Sequence, residues 1–581
     1  MIDLLSRWPS LDVATKHARL KNSFHLFAGP AAEIIESRRA DAARASEGLW
    51  RRDPSVWSAD PSVQQTIANR LGWLDSPQVM ADAIDRLRIF ADGVMRDGFT
   101  DVVLLGMGGS SLAPEVLRAI LGMAPGYPRF QMIDSTDPAA VQAVSTDVRQ
   151  TLYILASKSG GTIEPNSLAA HFRARLEQAG VPAWADHFVA ITDEGTSLAD
   201  RARTEKFRDV FINPSDIGGR YSALSFFGLV PAALMGQDLK ALVGWGLAML
   251  AAAMESSGDV GVNPAVGLGL AIGAAAHAGR DKLTLIVPFE LQPFGLWVEQ
   301  LIAESTGKHG NGVIPIIGEP PGSAETYGAD RLFACLRVGD SSPPHDLQIP
   351  NAPVVVVDLP DAYALAAEFV RWEIATAIAG ALLTINPFDE PNVQQAKDAT
   401  RVLLDAYKTR GRLSEATPDL TKRDGVTFTL SDSARRNVGA GPEHLLAQLR
   451  PGEYLAVLAY LSHEETLLDA LRAFRNAVRD RTRAATTLAY GPRYLHSTGQ
   501  LHKGGPNSGV FILITATPDQ DIPIPGEPFS FGTLELAQAL GDFSSLGAAG
   551  RRVLHVHLPK PDAGLLANTL NGLLEATPEP R

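Results

Sequence analysis

Several short segments of the chain combine residue types that could do chemistry together. Gly106-Met107-Gly108-Gly109-Ser110-Ser111 and Ser157-Lys158-Ser159-Gly160-Gly161-Thr162 join glycines to hydroxyls and, in the second, to a lysine. Glycines let the backbone approach a ligand closely and adopt positive φ. Each loop follows a strand-like run and opens a helix, whose first N–H groups and partial positive charge favour an anion. The first loop lacks the third glycine of a dinucleotide fingerprint, with Ser111 in its place. It also lacks the Gly-Lys-Ser/Thr ending of a nucleotide P-loop. A tight turn without a ligand is the competing reading for the first loop taken alone. Two such loops on successive parallel strands would lie at one carboxyl edge of a sheet, where ligands bind in open α/β folds.

Residues 297–310 (WVEQLIAESTGKHG) read as an amphipathic helix that stops at Gly307 and carries Glu304 in its last turn. A carboxylate there opposes the helix dipole at a cost of about 0.3–1 kcal/mol, and a broken local rule invites a functional explanation. Glu299, in mid-helix, reads as an ordinary solvated or paired surface acid. Arg220 sits in a Gly- and Ser-rich stretch, residues 218–225 (GGRYSALS). An arginine there is always charged and offers a planar donor fork; an exposed salt-bridging arginine is the plainer alternative. Residues 386–397 (NPFDEPNVQQAK) bring Lys397, and residues 495–505 (LHSTGQLHKGG) bring His496 and His502 in a Gly-rich polar loop suited to ligand contact.

The elements that must position these segments follow from hydrophobic periodicity. The first ninety or so residues read as helical, with helices over 31–46 and 80–97. Then strand-like runs at 101–105, 151–156 and 187–192 alternate with helices at 112–121 and 163–176, the pattern of a parallel sheet with helices on both faces. A Gly/Ala helix near 266–277, strands at 282–288 and 353–358 and a helix over 363–383 form a second block. A third has strands at 453–461, 510–515 and 553–558, a helix at 463–476 and a Pro-rich acidic loop at 519–528. The expected fold is α/β: two three-layer αβα domains with parallel sheets, plus a C-terminal α/β segment. The expected divisions are 1–95 (helical), 96–250 (phosphate loops), 251–410 (Glu304) and 411–581 (the His496 loop). No solenoid-period repeat is apparent.

Composition narrows the function classes. The chain has 581 residues, room for two to four domains of about 100–200 residues each. A net charge of −13 repels nucleic acid and anionic membranes but not a small anion held by local donors. Cys335 is the single cysteine, which excludes a disulfide framework and a Cys-based zinc site; its apolar surroundings read as those of a buried small hydrophobe. The N-terminus has no basic region leading into an apolar core, and the longest apolar stretch is too short to span a bilayer. The expectation is a soluble, cytoplasmic protein.

The motifs carry a resemblance. GMGGSSLAPE, with ASKSGGTIE after the next strand, resembles the first sugar-isomerase (SIS) domain of the phosphoglucose isomerase family. ESTGKHGNG is similar to that family's ESTGKHGKG, residues 218–225 to GGRxSxxS, and residues 386–397 to NPFDQPGVExxK. The resemblance implies reversible glucose 6-phosphate/fructose 6-phosphate isomerisation through a cis-enediol(ate). That chemistry needs a base, an oxyanion stabiliser and an acid/base for the ring oxygen, and no cofactor or metal. It implies Glu304 as the base, with Lys308 and His309 in its supporting turn. It also implies Arg220 at the enediolate oxygen, Lys397 in ring opening, and the phosphate gripped by Gly109, Ser110, Ser157, Lys158, Ser159 and Thr162, with Gly219 beside the substrate. Ser111 stands where the family has Asp, Ser159 where it has Thr, Glu390 for Gln and Asn392 for Gly.

The ring-opening histidine is displaced. The family's LHSxGQ segment does not follow Glu304; His345 is the only nearby histidine beyond the ESTGKHG turn. HSTGQLHKGGP instead lies in the third block, an arrangement similar to the isomerase half of fused transaldolase–phosphoglucose isomerases. His496 is the first choice by motif and His502 the second. The family's histidine comes from a neighbouring subunit, which implies a homodimer. Too few residues precede the isomerase region for a Schiff-base barrel, so transaldolase activity is not expected. The alternatives are an isomerase of another hexose phosphate such as mannose 6-phosphate, which Glu390 suggests, and a non-catalytic SIS sugar-phosphate-binding protein.

Overall fold

Short runs of β-branched and apolar residues, buried on both faces, make the strands of parallel sheets, and this chain uses them repeatedly. The computed structural model describes residues 2–255, 260–339, 349, 351–436, 438 and 441–577; His345 lies outside them. Those residues form two compact units, one of 1–134, 146–306 and 331–389, the other of 135–145, 307–330 and 390–581.

In the first unit, helices and the short strand β1 (Phe24–Phe27) precede the first sheet. The helical run expected over 31–46 is two helices, Ala32–Ser37 and Arg39–Trp50, divided at Arg38. The first sheet contains β2 (Asp101–Leu105), β3 (Arg129–Ile133), β4 (Thr151–Ala156), β5 (Phe188–Asp193) and β6 (Asp209–Asn213), in the order β3-β2-β4-β5-β6. Every pairing is parallel. All side chains of β2, β4 and β5 are buried. Helix α1 (Leu112–Leu121) follows β2, and α2 (Ile163–Gln178) follows β4.

The chain leaves β2 for β3 on one side and returns to β4 on the other. This sheet therefore reverses between β2 and β4, the place where open α/β sheets take ligands.

Its second sheet is built on β7 (Lys282–Ile286), β9 (Arg331–Val338) and β10 (Val354–Leu359), with β1 antiparallel against β10; β8 (Ile314–Ile316) falls in the other unit. Cys335 lies buried in β9, where desolvation pushes its thiol up to about 12. Helices α3 (Val266–His277), α4 (Gln292–Thr306) and α5 (Leu365–Leu382) belong to the same three-layer arrangement. Helix α4 departs from its sequence reading. It packs against both α1 and α5, so it is buried around its circumference rather than amphipathic. Glu299 is accordingly 4% exposed and not a surface acid.

The second unit opens its C-terminal part with helix α6 (Val393–Arg410). Its sheet runs β11 (Leu420–Thr421), β12 (Thr427–Leu430), β16 (Arg552–Leu558), β15 (Gly509–Ala516), β13 (Tyr454–Tyr460), β14 (Ala485–Tyr490). The last four strands are parallel and β12 pairs antiparallel to β16. The core under this sheet gathers Val457, Ile512 and Val556 from the strands and Leu467, Leu471 and Leu570 from α7 (Glu465–Thr482) and α10 (Ala563–Glu575). Between them in sequence lie the short helix α8 (Gly499–Gly504) and the long helix α9 (Phe531–Ala548).

Candidate active site

The two Gly-Ser loops leave the carboxyl ends of β2 and β4, the strands that flank the reversal of the first sheet. Gly160 takes φ +71°, and a Cβ there would meet the Leu198 backbone N at 2.9 Å. The loop is held from within: Ser157 Oγ and Thr162 Oγ1 are 2.9 Å apart, and the Gly160 N–H donates to Ser157 Oγ at 3.1 Å. Ser159 is exposed, and the Gly161 N–H donates to its Oγ at 3.4 Å. The Lys158 ammonium pairs with Asp193 and donates to the Ser215 carbonyl at 2.9 Å. Burial raises the Asp193 carboxyl above its ordinary value, and Lys158 offsets part of that rise.

Ser110 and Ser111 are buried in the first loop, with Ser111 Oγ donating to the Gly108 carbonyl at 3.2 Å. Gly109 meets the Arg220 segment directly. A Cβ on Gly109 would fall 2.1 Å from the Gly219 carbonyl oxygen, so the two glycine motifs touch backbone to backbone. Ser222 Oγ donates to the Gly219 carbonyl at 2.6 Å and approaches the Gly109 carbonyl at 3.3 Å.

Arg220 is buried and held from several sides. Its Nε donates to Ser305 Oγ at 2.8 Å, and Nη2 donates to the carbonyls of Pro387 and Asp389 at 2.8 and 2.9 Å. Its Nη1 stands 3.3 Å from Glu304 Oε1. Gln300, one helical turn before Glu304, donates to Oε2 at 3.2 Å. The carboxylate in the last turn of α4 thus faces a guanidinium that answers the unfavourable end of the helix dipole. Tyr221 packs beside the pair, its hydroxyl 3.2 Å from Ser305 Oγ and 3.3 Å from the Pro387 carbonyl. Trp73 and Phe388 flank its ring. Burial raises the Tyr221 hydroxyl above its ordinary value, so it stays a neutral donor.

The second unit holds Lys397, His496 and His502. Lys397 is exposed near the start of α6, and Glu390 is exposed ahead of it. His496 is half-buried at the end of the 3-10 turn Arg493–His496. His502 differs: it is 2% exposed and packed against Tyr454, Tyr494 and Phe511. Desolvation first, then Lys503 and Arg551, holds its imidazole well below the ordinary value. A ring so enclosed is part of the core.

The displaced histidine motif is anchored to the other motifs through Gln500. Its Nε2 donates to the Gly307 carbonyl at 2.9 Å and to Asn392 Oδ1 at 2.8 Å, and its Oε1 accepts from the Asn392 N–H at 2.8 Å. The Gly310 N–H donates to the Gly504 carbonyl at 2.9 Å. The turn between Lys308 and Asn311 is closed by reciprocal backbone bonds of 2.9 Å, with His309 at φ +53°. Three segments far apart in sequence therefore meet within one chain, and Asn392 supplies an amide that a glycine could not.

Largely parallel α/β sheets, Gly-Ser loops at a sheet reversal and a buried Glu–Arg pair at a helix end make up the candidate site of an α/β protein. Comparison with known proteins places it more closely. Residues 76–313 match the family described as phosphoglucose isomerase. The matched span contains both Gly-Ser loops, Arg220 and Glu304. The glucose-6-phosphate isomerase of Synechococcus sp. (strain JA-2-3B'a(2-13)) is 28% identical over 474 residues, covering 70% of this chain and 86% of that protein. The one from Thermosynechococcus vestitus is 34% identical over 279 residues, 46% of this chain and 50% of that one. A hypothetical protein from Thermus thermophilus shares the fold at a TM-score of 0.54 and 24% identity, over 65% of this chain and 99% of that chain.

Proposed function

We propose that the chain is a glucose-6-phosphate isomerase, interconverting glucose 6-phosphate and fructose 6-phosphate. The observation that carries this reading is the buried Glu304–Arg220 pair, set inside the span that matches the family. Glu304 takes the proton from C2 of the open-chain aldose and returns it to C1. Arg220, fixed by Ser305 and two backbone carbonyls, stabilises the oxygen that gains negative charge. Such a preorganised donor is worth about 10²–10³ in rate. Ser110, Ser157, Ser159 and Thr162 bind the phosphate with hydroxyl and backbone donors, with Gly109 and Gly219 allowing close approach. Lys158 adds positive charge once the phosphate competes with Asp193 for it. Lys397 and His496 open the ring. His502 keeps to packing, as its burial favours.

The enzyme acts in the cytoplasm as a homodimer, as the family resemblance implies; light scattering at assay concentration is expected to give twice the chain mass of 62.0 kDa, and a monomer that retains full activity would refute it. The function itself is tested by coupling formation of glucose 6-phosphate from fructose 6-phosphate to a reporter dehydrogenase, with and without EDTA and beside mannose 6-phosphate. Turnover that survives EDTA and favours the glucose/fructose pair is expected. Inactivity on that pair, or a clear preference for mannose 6-phosphate, would overturn the assignment.

A further inference from the structure

The sheet of the second unit has a reversal of its own. From β13 the chain crosses to β14 on one side and returns to β15 on the other. The loops that leave the carboxyl ends of β13 and β15 therefore part, as ligand-binding loops do in open α/β sheets. A cavity of about 240 Å³ lies there. Ser462 and Glu464 follow β13, Pro518 and Asp519 follow β15, and Asp137 and Glu535 complete the polar wall. The cavity has four carboxylates and no basic side chain in its lining, the opposite polarity to a phosphate site.

An acidic lining alone would mean little, but Glu535 adds a second observation. It stands in the first turns of α9, is 6% exposed, and its Oε1 is buried without a hydrogen-bond partner. Two of the other acids have local roles: Asp137 accepts from the Ala140 N–H at 2.8 Å, and Glu464 from Ser462 Oγ at 3.3 Å. An unpartnered buried carboxylate is among the costlier groups a protein can hold. Burial, with Asp137 and Asp521 nearby, raises the Glu535 carboxyl well above its ordinary value. An arriving positive charge would relieve that cost.

We propose that this cavity binds a small organic cation, an amine or guanidinium whose charged end meets the Glu535 carboxylate. Among the described residues no group of three or more His, Cys, Asp and Glu is placed to hold a metal ion. The wall also offers Tyr460, Pro518 and Pro561 to an alkyl chain. The proposal is independent of the isomerase reading. Its test is isothermal titration of the full chain with butane-1,4-diamine, with succinate and magnesium chloride in parallel. One saturable diamine site is expected, weakened at least about tenfold by Glu535→Gln, as loss of a charge-assisted contact requires. Glu464→Gln, at an exposed position, should weaken binding several-fold while keeping the fold, and it decides the matter if the Glu535 variant does not fold. No saturable diamine binding, wild-type affinity in Glu464→Gln and any folded Glu535→Gln, or displacement of the diamine by equimolar magnesium would overturn the proposal.

Discussion

Arg220 and Glu304 illustrate how single side chains are set for work. An arginine can be held by three partners and still face a fourth, because its donors are fixed in one plane. Glu304 is steadied by Gln300 on one oxygen and Arg220 on the other, so neither carboxylate oxygen needs to search for its position. Behind Tyr221 a different acid has no such support. Glu373 is buried, its Oε1 lacks a hydrogen-bond partner, and desolvation raises its carboxyl well above the ordinary value. The folded state therefore holds this proton more tightly than the unfolded chain does. Stability then falls as pH rises from the ordinary carboxylate value toward the raised one, by at most about 1.4 kcal/mol per pH unit. Glu373→Gln removes the titration at nearly constant shape. It should flatten this decline and raise the midpoint of urea unfolding at pH 8 relative to pH 5; a variant that is less stable at pH 8 would contradict the assignment.

At the scale of elements, much of the site was legible in the sequence because its loops obey local rules. Apolar runs ending in Gly-Ser segments read directly as strands leading into anion-binding turns, and β2, β4 and their loops are where periodicity put them. The character of α4 was not legible. Its Trp297, Val298 and Leu301 give an amphipathic look, but packing by α1 and α5 buries Glu299 as well, a tertiary effect that no single-helix pattern carries. Gln500 was missed for a related reason: an amide in a polar loop has no signal until its partners at Gly307 and Asn392 are known. The close approach of the two glycine motifs is an element-level constraint with a direct test. Gly109→Ala would push a Cβ toward the Gly219 carbonyl at 2.1 Å and separate the first Gly-Ser loop from the arginine segment. It is expected to lower kcat/KM by about 10²-fold, as misplacement by an ångström does, with circular dichroism unchanged. Activity near that of the unaltered chain would mean that the two motifs need not touch.

Across the whole molecule, the reversal at β2 and β4 and the reversal at β13 and β15 share one topology and differ in charge. The one in the first unit carries hydroxyls, glycines and Lys158; the one in the second carries carboxylates. The path of the chain was harder to read than its elements. Residues 135–145 and 307–330 pack with the C-terminal residues rather than with their sequence neighbours, because contacts far apart in sequence leave no periodic trace. The displaced histidine motif is the clearest case: Gln500 lies 193 residues after Gly307 in sequence, yet it bonds to the Gly307 carbonyl. The central claim, that Glu304 moves the proton, is tested most directly in deuterium oxide. The unaltered chain, given fructose 6-phosphate, should incorporate deuterium at C2 of glucose 6-phosphate as it turns over. Glu304→Gln should bind fructose 6-phosphate with similar affinity while deuterium incorporation falls by about 10²–10⁴-fold, the range of a general base. Incorporation by Glu304→Gln at the unaltered rate would contradict the account.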